Sequence, residues 1–254
     1  MNKEETIYQV EKALDIALIV IQNGGSTISA ERTFRNALKG VDSISINVAW
    51  RLDFVLVNIF RGDKSESILK PIGPIGVNLT RTSEAVSLGE QIEKGLTNID
   101  ATENEINRIE SLAPAYSKLM MIGAASFTAA CYTKILSGDE GSPVIAFIAA
   151  CAGQMLRGRL QKLQFSISAV TFMSGILSAC IAAAGLQFQL SEQVPATMIS
   201  SVIYLVPGIP LINAFMDILS HKYLLIGLER LFNAALLFLI LALNIVIALT
   251  AINF

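Results

Sequence analysis

The residues whose types and spacing could do chemistry stand in one stretch, Tyr204-Leu205-Val206-Pro207-Gly208-Ile209-Pro210-Leu211-Ile212-Asn213-Ala214-Phe215-Met216-Asp217. Proline removes an amide donor and clashes with the preceding helical turn, and glycine tolerates the distorted backbone that results. Pro207-Gly208-Ile209-Pro210 therefore breaks a helix near the middle of an apolar run. Such a break leaves carbonyls and a half-helix N-terminus free to hold an ion or an anionic group. Asn213 and Asp217 are spaced four apart on the second half, so they share a helical face. An acid at membrane depth costs a few kcal/mol unless it is wet or paired. The same residues also read as a plain structural kink, with Asp217 reaching the headgroups.

Other chemistry has no residues to work with. His221 is the single histidine and has no cysteine or carboxylate cluster beside it, so no metal site is expected. Cys131, Cys151 and Cys180 lie far apart without a Cys-x-x-Cys spacing and are expected as small buried apolar residues. Gly73-Pro74-Ile75-Gly76 lacks the Gly-Lys-Ser/Thr ending of a phosphate loop and reads as a turn. No Ser/His/Asp or Cys/His set is available, and the apolar runs hold no His pair, Ser-Lys set or paired acids. The sequence predicts neither an enzyme nor a cofactor.

The elements that must position these residues follow from how charge is distributed. Only 16% of the 254 residues are charged and 53% are apolar, against about 25% charged in an ordinary soluble domain. Residues 1–112 hold 28 charged residues, whereas residues 113–254 hold 12. The first part has soluble-domain composition and the second is too apolar for one. A single water-soluble globule, a basic nucleic-acid binder and a disordered chain are all excluded. The expected architecture is a mainly α membrane protein, with an N-terminal cytosolic α+β domain (1–112) followed by a transmembrane domain (113–254). The acidic start Met1-Asn2-Lys3-Glu4-Glu5 does not read as a secretory leader, which keeps the first domain in the cytosol.

In the first domain, Ile7, Val10, Leu14, Leu18 and Ile21 recur at helical spacing and predict an amphipathic helix over 4–22, ended by Asn23-Gly24-Gly25. A second helix is expected over 28–39, with Phe34 and Leu38 on one face and Gly40 as its stop. Ile44, Ile46, Val48 and Trp50 alternate with polar or small residues as in a half-buried strand, and Phe54–Phe60 suits a central strand closed by Arg61-Gly62-Asp63. Ile75, Val77 and Leu79 alternate as a third strand. Ala85, Leu88, Ile92, Leu96 and Ile99 restore the helical period, and Thr102-Glu103-Asn104-Glu105 reads as a capping box opening one more helix.

In the second domain five spans are expected, at about 115–136, 143–157, 165–187, 195–217 and 231–251, the fourth broken by its Pro-Gly motif. A crossing helix needs about 20 apolar residues, so the first, third and fifth are the clearest. Asp139 and Glu140 in the first loop and Glu192 in the third alternate with Arg157, Arg159 and Lys162 in the second and Lys222 and Arg230 in the fourth. Basic loops stay on the cytosolic side, which places the N-terminus inside and the C-terminus outside. Small residues such as Gly123-Ala124-Ala125-Ser126 let helix backbones approach closely in lipid.

The sequence resembles the threonine/serine exporter family, specifically the larger subunit of its split (YjjP-like) form. The resemblance rests on the long first helix ending in Gly24-Gly25-Ser26-Thr27, on a soluble α+β domain preceding five spans, and on Leu205-Val206-Pro207-Gly208-Ile209-Pro210 followed by Asn213, Asp217, Gly227 and Arg230. It implies secondary export of small carboxylated metabolites (a succinate-like dicarboxylate, or threonine and serine) across a bacterial cell membrane. It also implies a hetero-oligomer with a separate small membrane subunit. On that reading Pro207, Gly208 and Pro210 open the helix to the pathway, Asn213 bonds substrate, Asp217 is the proton-linked acid, and Arg157 or Arg230 is the attractive cation at the cytosolic mouth. The competing class is a membrane-anchored sensor or scaffold that transports nothing and binds a ligand through its cytosolic domain.

Overall fold

The computed structural model describes residues 3–39, 45–61 and 64–252. Gly40, Ile44, Gly62 and Asp63, given roles above, lie outside the described residues, as do Met1 and Asn2. The chain forms two compact units, one of residues 1–115 with 209–232, the other of residues 116–208 with 233–254. The packing division thus differs from the division by composition at 112/113, because residues 209–232 leave the apolar part to join the first unit.

The first unit is built around α1 (Lys3–Gln22). Val10, Leu14 and Ile21 are buried on the expected face, but Ile16, Ala17, Ile19 and Val20 are buried too, so the C-terminal half of this helix is enclosed on all sides. It ends in a Schellman motif: Gly24 adopts φ 94°, Gly25 N–H donates to the Val20 carbonyl at 2.9 Å, and Gly24 N–H donates to that of Ile21 at 3.5 Å. Helix α2 (Thr27–Ala37) starts at once, capped by the Ser26 hydroxyl accepting from Ser29 N–H at 3.1 Å, with Phe34 fully buried.

Strands β1 (Ser45–Trp50), β2 (Phe54–Arg61) and β3 (Lys64–Pro71) form an antiparallel sheet in that order, with β2 central as expected. The third strand is not at 75–80. Residues 73–78 are irregular, and Asn78 caps α3 (Leu79–Glu93) by accepting from Arg81 N–H at 3.3 Å. The real third strand escaped the period-two test because of what it pairs with. The inward face of β2 is Val55, Val57 and Ile59, and opposite them β3 offers Lys70, Ile68 and Glu66. One apolar residue among two charged ones leaves no alternation to read.

Helix α3 also stops earlier than its apolar spacing suggested. Gly95 turns the chain at φ 69°, Leu96 is exposed, and Ile99 enters the core from a separate short 3₁₀ turn (Ile99–Ala101). That turn runs directly into α4 (Glu103–Ser111), so the expected capping box does not form: Thr102 is itself helical and its hydroxyl donates back to the Ile99 carbonyl at 2.7 Å.

The second unit contains α5 (Lys118–Ile135), α6 (Ser142–Lys162), α7 (Ile167–Gln187), α8 (Val194–Val202) with a following 3₁₀ turn (Ile203–Leu205), and most of α10 (Leu224–Ile252). Helix α9 (Gly208–Leu219), from Ile209 on, and the first turns of α10 belong to the first unit. By length and composition two helices, Ile167–Gln187 and Leu224–Ala251, are fit to cross a membrane, and a third candidate arises if Val194–Leu205 and Gly208–Leu219 count as one broken span. The first apolar run does not reach that standard, since α5 has 18 residues and begins and nearly ends on lysine.

The burial pattern of the second unit is the reverse of a soluble core. Ala129, Ala146, Ala150, Ala179 and Ala182 are fully buried, while Leu119, Phe127, Ile148, Leu239 and Val246 point outward. Small residues inside and large apolar ones outside suit a body solvated by hydrocarbon, where close backbone approach rather than water exclusion holds helices together. The cysteines follow the outer surface: Cys131 and Cys180 are exposed and Cys151 is half-buried, against the expectation that all three are buried. A thiol is apolar enough to face outward there.

The tight α1–α2 turn makes a specific demand at Gly25. An added Cβ would lie 2.5 Å from Val20 Cγ1 and 2.7 Å from the Val20 carbonyl oxygen. Gly25→Ala is expected to destabilise the first unit by about 1–3 kcal/mol, the range for overpacking, read as a lowered thermal unfolding midpoint of the detergent-solubilised protein.

Candidate functional site

The chain break anticipated from Pro207 and Gly208 is present: α8 and its 3₁₀ turn end at Leu205, Val206 is extended, and α9 begins at Gly208. Pro210 falls in the first turn of α9, where its missing amide has no helical acceptor to lose. The half-helix that follows is fastened to the turn between α1 and α2. Asn213 Nδ2 donates to the Gly24 carbonyl at 3.0 Å. One turn on, Asp217 is fully buried, and its Oδ2 accepts from the Thr27 hydroxyl at 2.9 Å.

Asp217 Oδ2 also lies 3.1 Å from Arg230 Nη1 on α10, and both side chains are nearly or wholly buried. This contact is an ion pair by distance, but the N–H geometry does not complete a hydrogen bond. Arg230 Nη1 and Asp217 Oδ1 are both without a hydrogen-bond partner among the described residues. A buried charge pair tolerates its desolvation only when its remaining lone pairs and protons are satisfied, so this one is left with binding capacity. Gly227 lets α9 and α10 approach here, since a Cβ would sit 2.9 Å from the Ile218 amide nitrogen and 3.1 Å from the Ala214 carbonyl oxygen.

A second polar knot stands one turn further along α2. Glu31, almost fully buried, accepts from Tyr223 Oη at 2.6 Å, from Arg35 Nε at 2.8 Å, and from Lys222 Nζ. Burial pushes its carboxyl up, but the bonds from Lys222, Tyr223 and Arg35 outweigh that and hold it below its ordinary value. Tyr223 is driven the other way, by burial and by its bond to Glu31. Neither Thr27 nor Glu31 stood out in the sequence. Thr27 carried a signal, as the end of Gly24-Gly25-Ser26-Thr27, but Glu31 looked like any helical surface acid.

Of the site residues expected from sequence, the structure brings together Asn213, Asp217 and Arg230 in the first unit, with Pro210 on the same helix. Pro207, Gly208 and Arg157 belong to the second unit. There Arg157, half-buried, donates from Nη1 to the Tyr204 carbonyl at 3.4 Å. The loop acids differ as well. Asp139 accepts from Ser142 Oγ at 2.7 Å, from Ser142 N–H at 2.9 Å and from Glu192 N–H at 2.7 Å, which hold its carboxyl well below the usual range. Glu140 beside it is exposed. Among the described residues no group of three or more His, Cys, Asp or Glu side chains is placed to hold a metal ion.

Helices with small and hydroxyl side chains inside and large apolar ones outside, on a chain that also buries an acid–base pair, define a membrane protein with a polar site. The family model described as "Putative threonine/serine exporter" (ThrE) matches residues 11–252, and the chain belongs to that family. Two curated relatives carry the description "Probable succinate transporter subunit YjjP". The one from Klebsiella aerogenes is 27% identical over 98% of this chain and 96% of its own length. The one from Escherichia coli (strain K12) is 27% identical over 98% of this chain and 97% of its own length. No solved structure matches the chain.

The Glu31 knot makes stability depend on pH with a definite sign. A carboxyl held below its unfolded value stabilises the fold above that value, about 4.3 for glutamate, and the contribution is lost as pH falls through the folded value. The unfolding midpoint of the wild-type protein is therefore expected to drop more steeply below about pH 4.3 than that of Glu31→Gln, whose midpoint is already lower at pH 7. Parallel pH profiles in a thermal-shift series would contradict this.

Proposed function

We propose that this chain is one subunit of a two-component secondary exporter of small carboxylated metabolites, a succinate-like dicarboxylate or threonine and serine, across the bacterial cell membrane. Family membership and the two relatives described as transporter subunits support the reading. The observation that carries it is the buried Asp217–Arg230 pair with one unpartnered atom on each side. A structural ion pair gains by closing every bond; a transport site needs groups whose partners can be exchanged.

In this proposal the Pro207-Gly208 break and Pro210 let the fourth span end short of a continuous helix. Protonation of Asp217 removes its charge and weakens its hold on Arg230, which is then free to attract a carboxylate. Asn213 exchanges the Gly24 carbonyl for substrate. Arg157 attracts the anion at the cytosolic mouth. A separate small membrane subunit completes the hetero-oligomer.

The proposed topology has five spans, the N-terminus in the cytosol and the C-terminus outside. Two arrangements support it. Asp139 in the first loop bonds Glu192 in the third, as loops on one side must be able to do. Residues of the fourth loop, Lys222 and Tyr223, bond Glu31 of the N-terminal domain, in keeping with a shared cytosolic side.

The test is efflux of labelled succinate and labelled threonine from cells expressing the chain with and without its small partner. Asp217→Asn is expected to abolish partner-dependent efflux at normal membrane abundance. Because that change leaves Arg230 buried without a counter-charge, Asp217→Asn combined with Arg230→Gln controls for stability and is expected to be equally inactive. Full transport by either variant removes Asp217 from the mechanism, and no partner-dependent efflux of either compound favours the sensor or scaffold class. For topology, Glu140→Cys, rather than a cysteine at the structurally bonded Asp139, is expected to react with an impermeant maleimide from outside intact cells. Reaction only after lysis would reverse the orientation.

A further inference from the structure

Asn244 lies deep in the apolar stretch Leu224–Ala251, and its side chain is fully buried in the second unit. An amide in such surroundings is stable only if its atoms find partners. Its Nδ2 reaches the Thr171 carbonyl only at 3.5 Å, and its Oδ1 has no partner among the described residues. On the facing helix α7, Ser174 is fully buried and its Oγ is equally without a partner. Serines in helices ordinarily bond a carbonyl one turn back, as Ser126 does to Ile122 at 2.8 Å; Ser174 does not.

Two glycines bring these groups together. A Cβ on Gly175 would lie 2.1 Å from Asn244 Nδ2, so only glycine admits the amide beside Ser174. A Cβ on Gly153 of α6 would lie 1.9 Å from the Tyr204 hydroxyl oxygen, so only glycine admits that ring. The Tyr204 hydroxyl donates to the Ser174 carbonyl at 3.3 Å and shares a 3.0 Å bond with Ser178 Oγ. One turn beyond Gly153, Arg157 meets the Tyr204 carbonyl. Thr171, Ser174 and Ser178 fall at steps of three and four on α7 and are all buried, which makes a polar stripe inside an apolar body.

We infer that Asn244, Ser174 and Tyr204 form, with Arg157, a carboxylate-binding station in the second unit, additional to the Asp217–Arg230 pair of the first. The inference rests on the export reading given above. Arg157 supplies the positive charge and has N–H groups beyond its one long bond; the Ser174 hydroxyl proton and the second Asn244 amide proton are uncommitted. A carboxylate presents two oxygens that accept several such bonds. Asn244 Oδ1 can only accept, so it reads a hydroxyl, an ammonium or a carboxylic-acid proton elsewhere on the same ligand. The station therefore takes an organic carboxylate with a second polar group rather than a bare inorganic anion.

Asn244→Leu separates this role from packing, because leucine branches at the same carbon and removes only the polarity. Replacing an incompletely bonded buried amide by an apolar side chain of similar shape keeps or raises stability. A packing role thus predicts retained stability with unchanged transport, whereas the station predicts retained stability with lost transport. With the chain and its small partner co-expressed, efflux of labelled succinate and labelled threonine is measured at low internal substrate for wild type, Asn244→Leu and Ser174→Ala. Each variant is expected to export the wild-type substrate about tenfold more slowly, the effect of one ordinary hydrogen bond, at unchanged membrane abundance and unfolding midpoint. Ser174→Ala removes a single oxygen and keeps the test decisive should Asn244→Leu fail to insert. Wild-type rates in the variants would overturn the station and leave the export reading standing. Absence of partner-dependent efflux from the wild type would remove the export reading and the station with it.

Discussion

A carboxylate withdrawn from water must be met by protons or a positive charge, and in the first unit that requirement falls on Asp217. Thr27 supplies a hydroxyl and Arg230 a guanidinium, and each comes from a different part of the chain. Meeting it forces α9 and the start of α10 against the α1–α2 turn, which in turn requires that turn to be as tight as Gly24 and Gly25 allow. Asn213 on the preceding turn of α9 bonds the Gly24 carbonyl, and Glu31 gathers Lys222 and Tyr223 on the following turn of α2. The N-terminal domain and the second half of the broken helix are for this reason one compact body, although 189 residues separate Gly24 from Asn213.

The second unit obeys a different solvent. With many large apolar side chains outward and alanine, glycine and serine prominent inward, its helices approach closely at small residues such as Ala146, Ala150 and Ala182. The room left by Gly153 and Gly175 is taken by Tyr204 and Asn244, so the polar groups of this unit gather where the backbones are closest. In water such groups would be drawn to the surface. In hydrocarbon they turn inward, and any that lack a partner there stand out against their surroundings.

Helices were legible wherever one face was apolar and the ends carried turn chemistry, as in α1 with Asn23-Gly24-Gly25 and α2 with Ser26. Strands were legible where alternation was strong, as in β1 and β2. Strand β3 was not, because its inward residues include Lys70 and Glu66, whose stems and charges are accommodated by neighbours; Lys70, for example, reaches Asp15 at 2.7 Å. Thr102 illustrates the converse. Its local sequence fits a capping box, but the 3₁₀ turn before it already holds the residue in helical geometry and turns its hydroxyl backward.

By itself the sequence determined the class of the molecule and the place of its anomaly. Charge segregation separates a polar domain from an apolar one, and proline and glycine interrupt a helix for reasons confined to a few bonds of backbone. Both are local or summed properties, so no partner need be known. Which side chain answers Asp217, and that Asn244 matters at all, only the tertiary structure decided. A buried polar atom is defined by what lies a hydrogen-bond length away in space, and two of the partners here, Thr27 for Asp217 and Thr171 for Asn244, come from helices more than 60 residues distant. Composition records that an asparagine sits in an apolar helix; only packing records that its oxygen is left unanswered.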